Sequence, residues 1–191
     1  MKINEIFYSI QGEGYRFGEA SIFIRLTGCD QSCGYCDTEF ESGKEIPNEE
    51  LLEIIRKFPS NWIVWTGGEP TLQLKTDDVK FFKEAGYLQA IETNGNNPAP
   101  DGLDWVCVSP KVAEHVVARN FPNGVNELRY VRHATQVAVP EPKVEAEHYY
   151  LSPRFDGNDM NENNLKKCIS LILENPKWKL SLQNHKILNV L

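Results

Sequence analysis

Apolar and amphipathic runs alternate along the chain. Residues 21–26 (SIFIRL) are rich in β-branched and aromatic types and predict a strand. Residues 47–58 predict a helix. Glu49 and Glu50 favour its start, where the helix dipole is positive, and Leu51, Leu52, Ile54, Ile55 and Phe58 supply one apolar face. NWIVW over 61–65 predicts the next strand, ended by Gly67-Gly68-Glu69-Pro70. A helix follows over 76–85, with Gly86 as its stop. Further strands are predicted over 88–92, 104–108, 127–131 and 147–151, then a helix over 161–173 and a last strand over 179–182.

Repeated strand–helix alternation argues for an α/β fold with a mostly parallel sheet. An eight-unit barrel takes about 250 residues, and this chain has 191. The expectation is therefore an incomplete, TIM-like barrel formed by one domain over residues 1–191, without internal repeats. The unusual residues all fall at the C-terminal ends of predicted strands. They are a cysteine triplet, TGGEP, ETNG, SPK, SPR and QNHK. In parallel α/β folds those ends share one rim, where ligands bind.

Composition narrows the function. The chain is 41% hydrophobic and 25% charged, with a net charge of −7 and no block of Lys or Arg. Broad phosphate-backbone binding needs clustered cations, so a nucleic-acid partner is not expected. No stretch approaches the roughly 18 apolar residues of a membrane span, and the N-terminus lacks the pattern of a signal peptide. The five cysteines cannot all pair internally. A cytoplasmic protein with reduced thiols is expected.

TGCDQSCGYCDT places Cys29, Cys33 and Cys36 in a C-x3-C-x2-C pattern. Structural zinc normally closes with four ligands, often in two pairs. Here Cys107 lies in an apolar strand and Cys168 on a helix, both reading as small buried hydrophobes. His115, His133, His148 and His185 are scattered without ligand spacing. A four-cysteine ferredoxin centre would need another ligand downstream. The remaining reading is a [4Fe–4S] cluster on three thiolates, with one iron open to a small molecule.

This triplet, with Tyr35 before its last cysteine and TGGEP after the next strand, resembles the radical S-adenosylmethionine (SAM) enzymes. FYSIQGEG, FIRLTGC, CDT, ETNG, SPK and LQNHK resemble, more narrowly, the 7-carboxy-7-deazaguanine synthases of deazapurine biosynthesis. The resemblance implies that the cluster passes an electron to SAM. The resulting 5′-deoxyadenosyl radical takes hydrogen from C6 of 6-carboxy-5,6,7,8-tetrahydropterin. The ring contracts with loss of ammonia, SAM is regenerated, and Mg2+ assists. No catalytic residue is implied beyond the cluster and SAM.

The same resemblance implies the site. Gly68, Glu92, Ser109, Pro110, Lys111, Ser152, Pro153, Arg154 and Phe155 would meet SAM, and Thr38 would bind Mg2+. Ile10, Gln11, Gly12, Arg25, Thr66, His185 and the carboxylate of Leu191 would meet the substrate. The chain departs from the family pattern at Ser152, where Gln is expected, and at Asn184, where Thr is expected. A reductant protein such as flavodoxin or ferredoxin and a homodimer are also implied. The alternatives are a radical SAM activase acting on a protein partner and a non-catalytic zinc or redox module.

Overall fold

The inner strands carry consecutive buried residues because both faces of the sheet are covered there. The computed structural model describes residues 1–34, 36 and 38–190. Its elements, in chain order, are β1 (Lys2–Ile10), β2 (Ala20–Leu26), β3 (Lys44–Glu45), α1 (Asn48–Ile55), β4 (Trp62–Gly67), a 3-10 turn at Pro70–Leu72 and α2 (Thr76–Glu84). Then come β5 (Leu88–Thr93), β6 (Trp105–Val108), α3 (Glu114–Asn120), β7 (Val125–Arg132) and β8 (Ala146–Pro153). The chain continues through β9 (Phe155–Asp156), β10 (Asp159–Met160), α4 (Glu162–Glu174), β11 (Lys179–Leu180) and α5 (Asn184–Leu188).

One sheet runs in the order β11-β8-β7-β6-β5-β4-β2-β1-β3. From β2 through β11 all neighbours are parallel, and β1 joins β2 and β3 antiparallel. With helices in the crossovers, this is the open, partial-barrel arrangement. β1, α3, α5 and the two-residue strands β3, β9 and β10 were not anticipated from the sequence.

Helices cover one face of the sheet. Ile22, Ile24, Ile63, Trp65 and Ile91 pack there with Leu51, Ile55, Val79 and Phe82 of α1 and α2. Farther along, Val108, Leu128, Tyr130 and Leu151 pack with Val117 of α3 and with Cys168 and Leu171 of α4. α4 shows why such a helix forms. Asn161 caps its start, accepting from Asn164 N at 3.0 Å, and Asn164, Cys168 and Leu171 recur at helical spacing on the buried side.

Strand residues of opposite parity point to the other face. Phe23 and Arg25 of β2, Thr66 of β4, Glu92 of β5 and Arg129 of β7 line a cavity there. Cys107 takes the same parity on β6, between register partners Glu92 and Glu127. A strand that feeds a helix-covered core on one side therefore feeds a polar chamber on the other.

Candidate functional site

The chamber has a volume of about 1060 Å³, and the three cysteines lie on its rim. Their loop leaves β2 at Thr27 and is closed at its base by Gly28 N donating to Phe40 O at 2.8 Å. Cys29 and Cys33 are half-buried and Cys36 is exposed. Burial, with the carboxylates of Asp30 and Glu69 nearby, pushes the Cys29 thiol above its ordinary range. No three His, Cys, Asp or Glu side chains among the described residues close on a single metal ion. A cluster attaches its thiolates to separate iron atoms and spaces them more widely, and soft sulfur donors suit iron–sulfur chemistry. The donor set fits a cluster with three protein ligands. Tyr35 lies outside the described residues.

β4 delivers Thr66 and Gly68 to the same chamber. Gly68 packs against the entry of the cysteine loop so tightly that a Cβ there would collide with the Gly28 carbonyl oxygen. Gly68 N donates to Leu26 O at 3.1 Å, and Glu69 N donates to Gly28 O at 2.8 Å. The glycine is required by close approach of two backbones rather than by a simple turn. Glu69 follows, fully buried. Its Oε1 accepts from Thr71 N (3.0 Å), Thr71 Oγ1 (2.6 Å) and Thr93 Oγ1 (2.8 Å), and its Oε2 accepts from Asn94 N (2.7 Å). Burial still raises its affinity for a proton, opposed by those bonds.

Ser109 and Lys111 line the chamber beyond β6. Lys111 Nζ donates to Ser109 O at 2.9 Å and Ser109 Oγ at 2.7 Å. Burial lowers its proton affinity. Pro110 holds the turn between them and is half-buried. Ser152, Pro153, Arg154 and Phe155 line another part of the wall at the end of β8. Arg154 N donates to Arg132 O at 2.8 Å, and its side chain reaches Asp156 at 3.4 Å.

The opposite wall is built from both chain ends. Ile10, Gln11 and Gly12 leave β1 into the chamber. Gly12 O accepts from the backbone and side-chain nitrogens of Asn184, each at 3.0 Å. This pins α5 over the entrance and brings His185 against Gly12. Arg25 projects from β2, 3.3 Å from Glu5 and 5.5 Å from the Phe7 ring centroid. Thr38 also faces the chamber. Leu191 lies outside the described residues.

Sequence reasoning missed the charged floor. Arg129 is buried and pairs with Glu92, with Glu127 at 3.1 Å and with Glu13 at 3.4 Å. Gln11 Nε2 donates to the other oxygen of Glu92 at 3.1 Å. Glu127 accepts in turn from Tyr15 N at 3.0 Å. Burial pushes Glu92 up as a carboxyl, and Arg129 opposes that shift. Glu92 is thus an enclosed, paired group rather than an exposed strand end. Cys107 also differs from its expected surroundings. It is buried, but it stands beside its register partner Glu92 instead of joining either apolar cluster. A signal existed in ELRYV, where Glu127 and Arg129 share one face of an otherwise apolar strand.

Thiols on a rim of parallel strand ends, above a chamber with room for two small molecules, define a radical SAM enzyme. Residues 23–115 match the model of the Radical SAM superfamily. The 7-carboxy-7-deazaguanine synthase of Bacteroides thetaiotaomicron is 36% identical over 189 residues, spanning 99% of this chain and 98% of that protein. The Haemophilus influenzae protein of that name is 38% identical over 200 residues, spanning 98% and 93%. The crystal structure of QueE from Escherichia coli matches the fold with a TM-score of 0.74 and 25% identity, covering 96% of this chain and 94% of that one. The chain belongs to the 7-carboxy-7-deazaguanine synthase family. A [4Fe–4S] cluster and SAM are the cofactors that membership in the radical SAM enzymes implies.

Proposed function

We propose that this chain converts 6-carboxy-5,6,7,8-tetrahydropterin to 7-carboxy-7-deazaguanine with loss of ammonia, on the route to 7-deazapurines such as queuosine. Full-length kinship with synthases of that name supports this reading over a protein-directed activase. The observation that carries it is one chamber bearing three rim thiols and, on its walls, amide, carboxylate, guanidinium and imidazole groups. When bound, the cluster and SAM supply the reducing and hydrogen-abstracting chemistry.

Cys29, Cys33 and Cys36 hold the cluster in this reading. Gly68, Glu92, Ser109, Pro110, Lys111 and the 152–155 segment hold SAM. Gly68 lets the end of β4 press against the cysteine loop and so sets the wall on which SAM lies, and the hydroxyl and carbonyl groups near Lys111 orient polar atoms. Gln11, Gly12, Thr66 and His185 hold the flat polar edge of the pterin, with Ile10 and the Leu191 carboxylate completing its surroundings. Arg25 takes the substrate carboxylate as a bidentate partner in place of the exposed Glu5. Thr38 offers a hydroxyl to Mg2+, which prefers hard oxygen ligands and keeps several waters.

The whole chain acts as one radical SAM domain, works in the cytoplasm as a homodimer, and takes its electron from a flavodoxin- or ferredoxin-type protein. The odd cysteine count supports a reducing compartment, and no helix among the described residues is long and apolar enough to cross a membrane. Anaerobic reconstitution followed by incubation with the pterin, SAM, Mg2+ and a reductant tests the reaction. The expected product is 7-carboxy-7-deazaguanine. A fully reconstituted protein that forms none sinks the proposal.

A further inference from the structure

Asp30 directly follows Cys29, and its carboxylate collects three side-chain amides. Asn94 Nδ2 donates to Oδ1 at 2.7 Å, while Asn96 Nδ2 and Asn97 Nδ2 donate to Oδ2 at 2.8 and 2.9 Å. All three amides belong to the segment after β5. That segment is itself anchored. Asn94 N donates to buried Glu69 at 2.7 Å, and Lys111 N donates to Asn94 O at 3.1 Å. Asn120 Nδ2 of α3 reaches Gly95 O at 3.1 Å and Asn96 O at 2.7 Å. The Asp30 carboxylate is therefore a bolt between the cysteine loop and a rigid part of the sheet rim.

We infer that Asp30 is a positioning residue for the first cluster ligand, seating Cys29 against the rim through its clamp of three asparagines. This rests on the reading of Cys29 as a cluster ligand, and it adds a function for Asp30, Asn96 and Asn97. The chemistry demands a carboxylate. Only a carboxylate is an acceptor at both oxygens, so it takes donors from both sides. An asparagine at position 30 would turn one NH2 group towards another. Hydrogen bonds to an ionised acceptor are also the stronger kind. A ligand held in place before the cluster arrives needs less ordering on assembly and has less freedom to let go.

The test compares the full chain with its Asp30→Asn, Asp30→Ala and Asn97→Ala variants after anaerobic reconstitution. Iron and acid-labile sulfide are counted, and loss of visible cluster absorbance to an iron chelator is timed. The electron paramagnetic resonance spectrum of the reduced cluster and the melting of cluster-free protein are recorded alongside. Asp30→Asn is expected to lose its cluster about tenfold to a hundredfold faster, with an altered spectrum and unchanged melting. Asn97→Ala, which removes one donor, should move the same way by less. A chelator rate and spectrum matching the unaltered chain in Asp30→Asn would overturn the assignment. So would loss of cluster only in proportion to loss of fold. Should Asp30→Asn fail to fold, Asn97→Ala decides: a faster rate supports the clamp and an unchanged one defeats it. An unaltered chain that takes up no iron and sulfide defeats the cluster reading itself, a separate outcome.

Discussion

His185 closes over Gly12: a Cβ at position 12 would collide with Nδ1 of the imidazole and stand 2.8 Å from its Cγ. The two residues are distant in sequence, yet they form one wall of the chamber because Asn184 bonds back to Gly12 O. Gly12→Ala should push the imidazole aside while leaving the core untouched. A loss on the order of a hundredfold in kcat/KM is expected, as for other misplacements near 1 Å. Steady-state kinetics beside a thermal melt checks it. Wild-type kinetics would show that the ring has no part in the site.

Gly68→Ala meets backbone rather than a yielding side chain, since the collision is with the Gly28 carbonyl. The entry to the cysteine loop must shift. Overpacking of this kind costs about 1–3 kcal/mol. Urea denaturation of the cluster-free chain should show that loss, and reconstitution should recover less iron per chain.

Removing the floor's cation tests the charge network. Arg129→Met leaves Glu92, Glu127 and Glu13 without their shared partner, with Glu127 only 3% exposed. Breaking a buried pair from one side costs about 3–5 kcal/mol. Burial already raises the Glu92 pKa, and the loss of Arg129 raises it further. A carboxyl with a raised folded pKa favours the native state while protonated and loses that favour as the pH rises through the folded pKa. The deficit of the variant should therefore be largest near neutrality and shrink as the pH falls towards the ordinary value of 4.5. Denaturant titrations at several pH values measure it. A pH-independent deficit would contradict the network.

Much of this architecture was legible, for identifiable reasons. β2 and β4 through β8 are short apolar runs rich in β-branched and aromatic residues, so composition and the turn residues after them found them. β1 was hidden because an outer antiparallel strand buries little more than Ile3 and Phe7, with Lys2 before them and Asn4 and Glu5 between them. α3 escaped because seven residues with adjacent β-branched Val116 and Val117 make no helical signature. The thiols were legible because their chemistry is packed into one loop. The Arg129 floor was not, because Glu13, Glu92 and Glu127 come from separate segments and meet only after the sheet curls. Cys107 illustrates the limit of composition: WVCVS reads as apolar, but strand register sets its buried thiol between Glu92 and Glu127.

Thiol reactivity should separate the two classes of cysteine. Burial pushes Cys168 up to about 11 and holds Cys107 well above its ordinary range. Brief alkylation of the folded, cluster-free chain at mildly alkaline pH should label Cys33 and Cys36 first, Cys29 more slowly because burial raises its thiol, and spare the other two. Peptide mass spectrometry reads the pattern. Early labelling of Cys107 would show that the chamber floor is open.

Glu39 makes the acid-sensitive point of the cysteine loop. Hydrogen bonds from Ser42 Oγ, Ser42 N, Glu41 N and Asn4 lower its pKa from 4.5 to about 2. A depressed carboxyl supports the native turn above its unfolded pKa and loses that support as the pH falls through the folded value. The protection of the Glu41 and Ser42 amides, relative to their intrinsic exchange rate at each pH, should fall between about pH 4.5 and about pH 2 in the unaltered chain. In Glu39→Ala that protection should already be absent at neutral pH.

The most direct test of the whole account follows hydrogen from substrate to cofactor. With deuterium at C6 of the pterin, limiting SAM and many turnovers, mass spectrometry of the recovered SAM should show label on its 5′ carbon, alongside 7-carboxy-7-deazaguanine. Product formed with no label ever entering SAM would contradict the claim that this chamber joins the two molecules for hydrogen transfer.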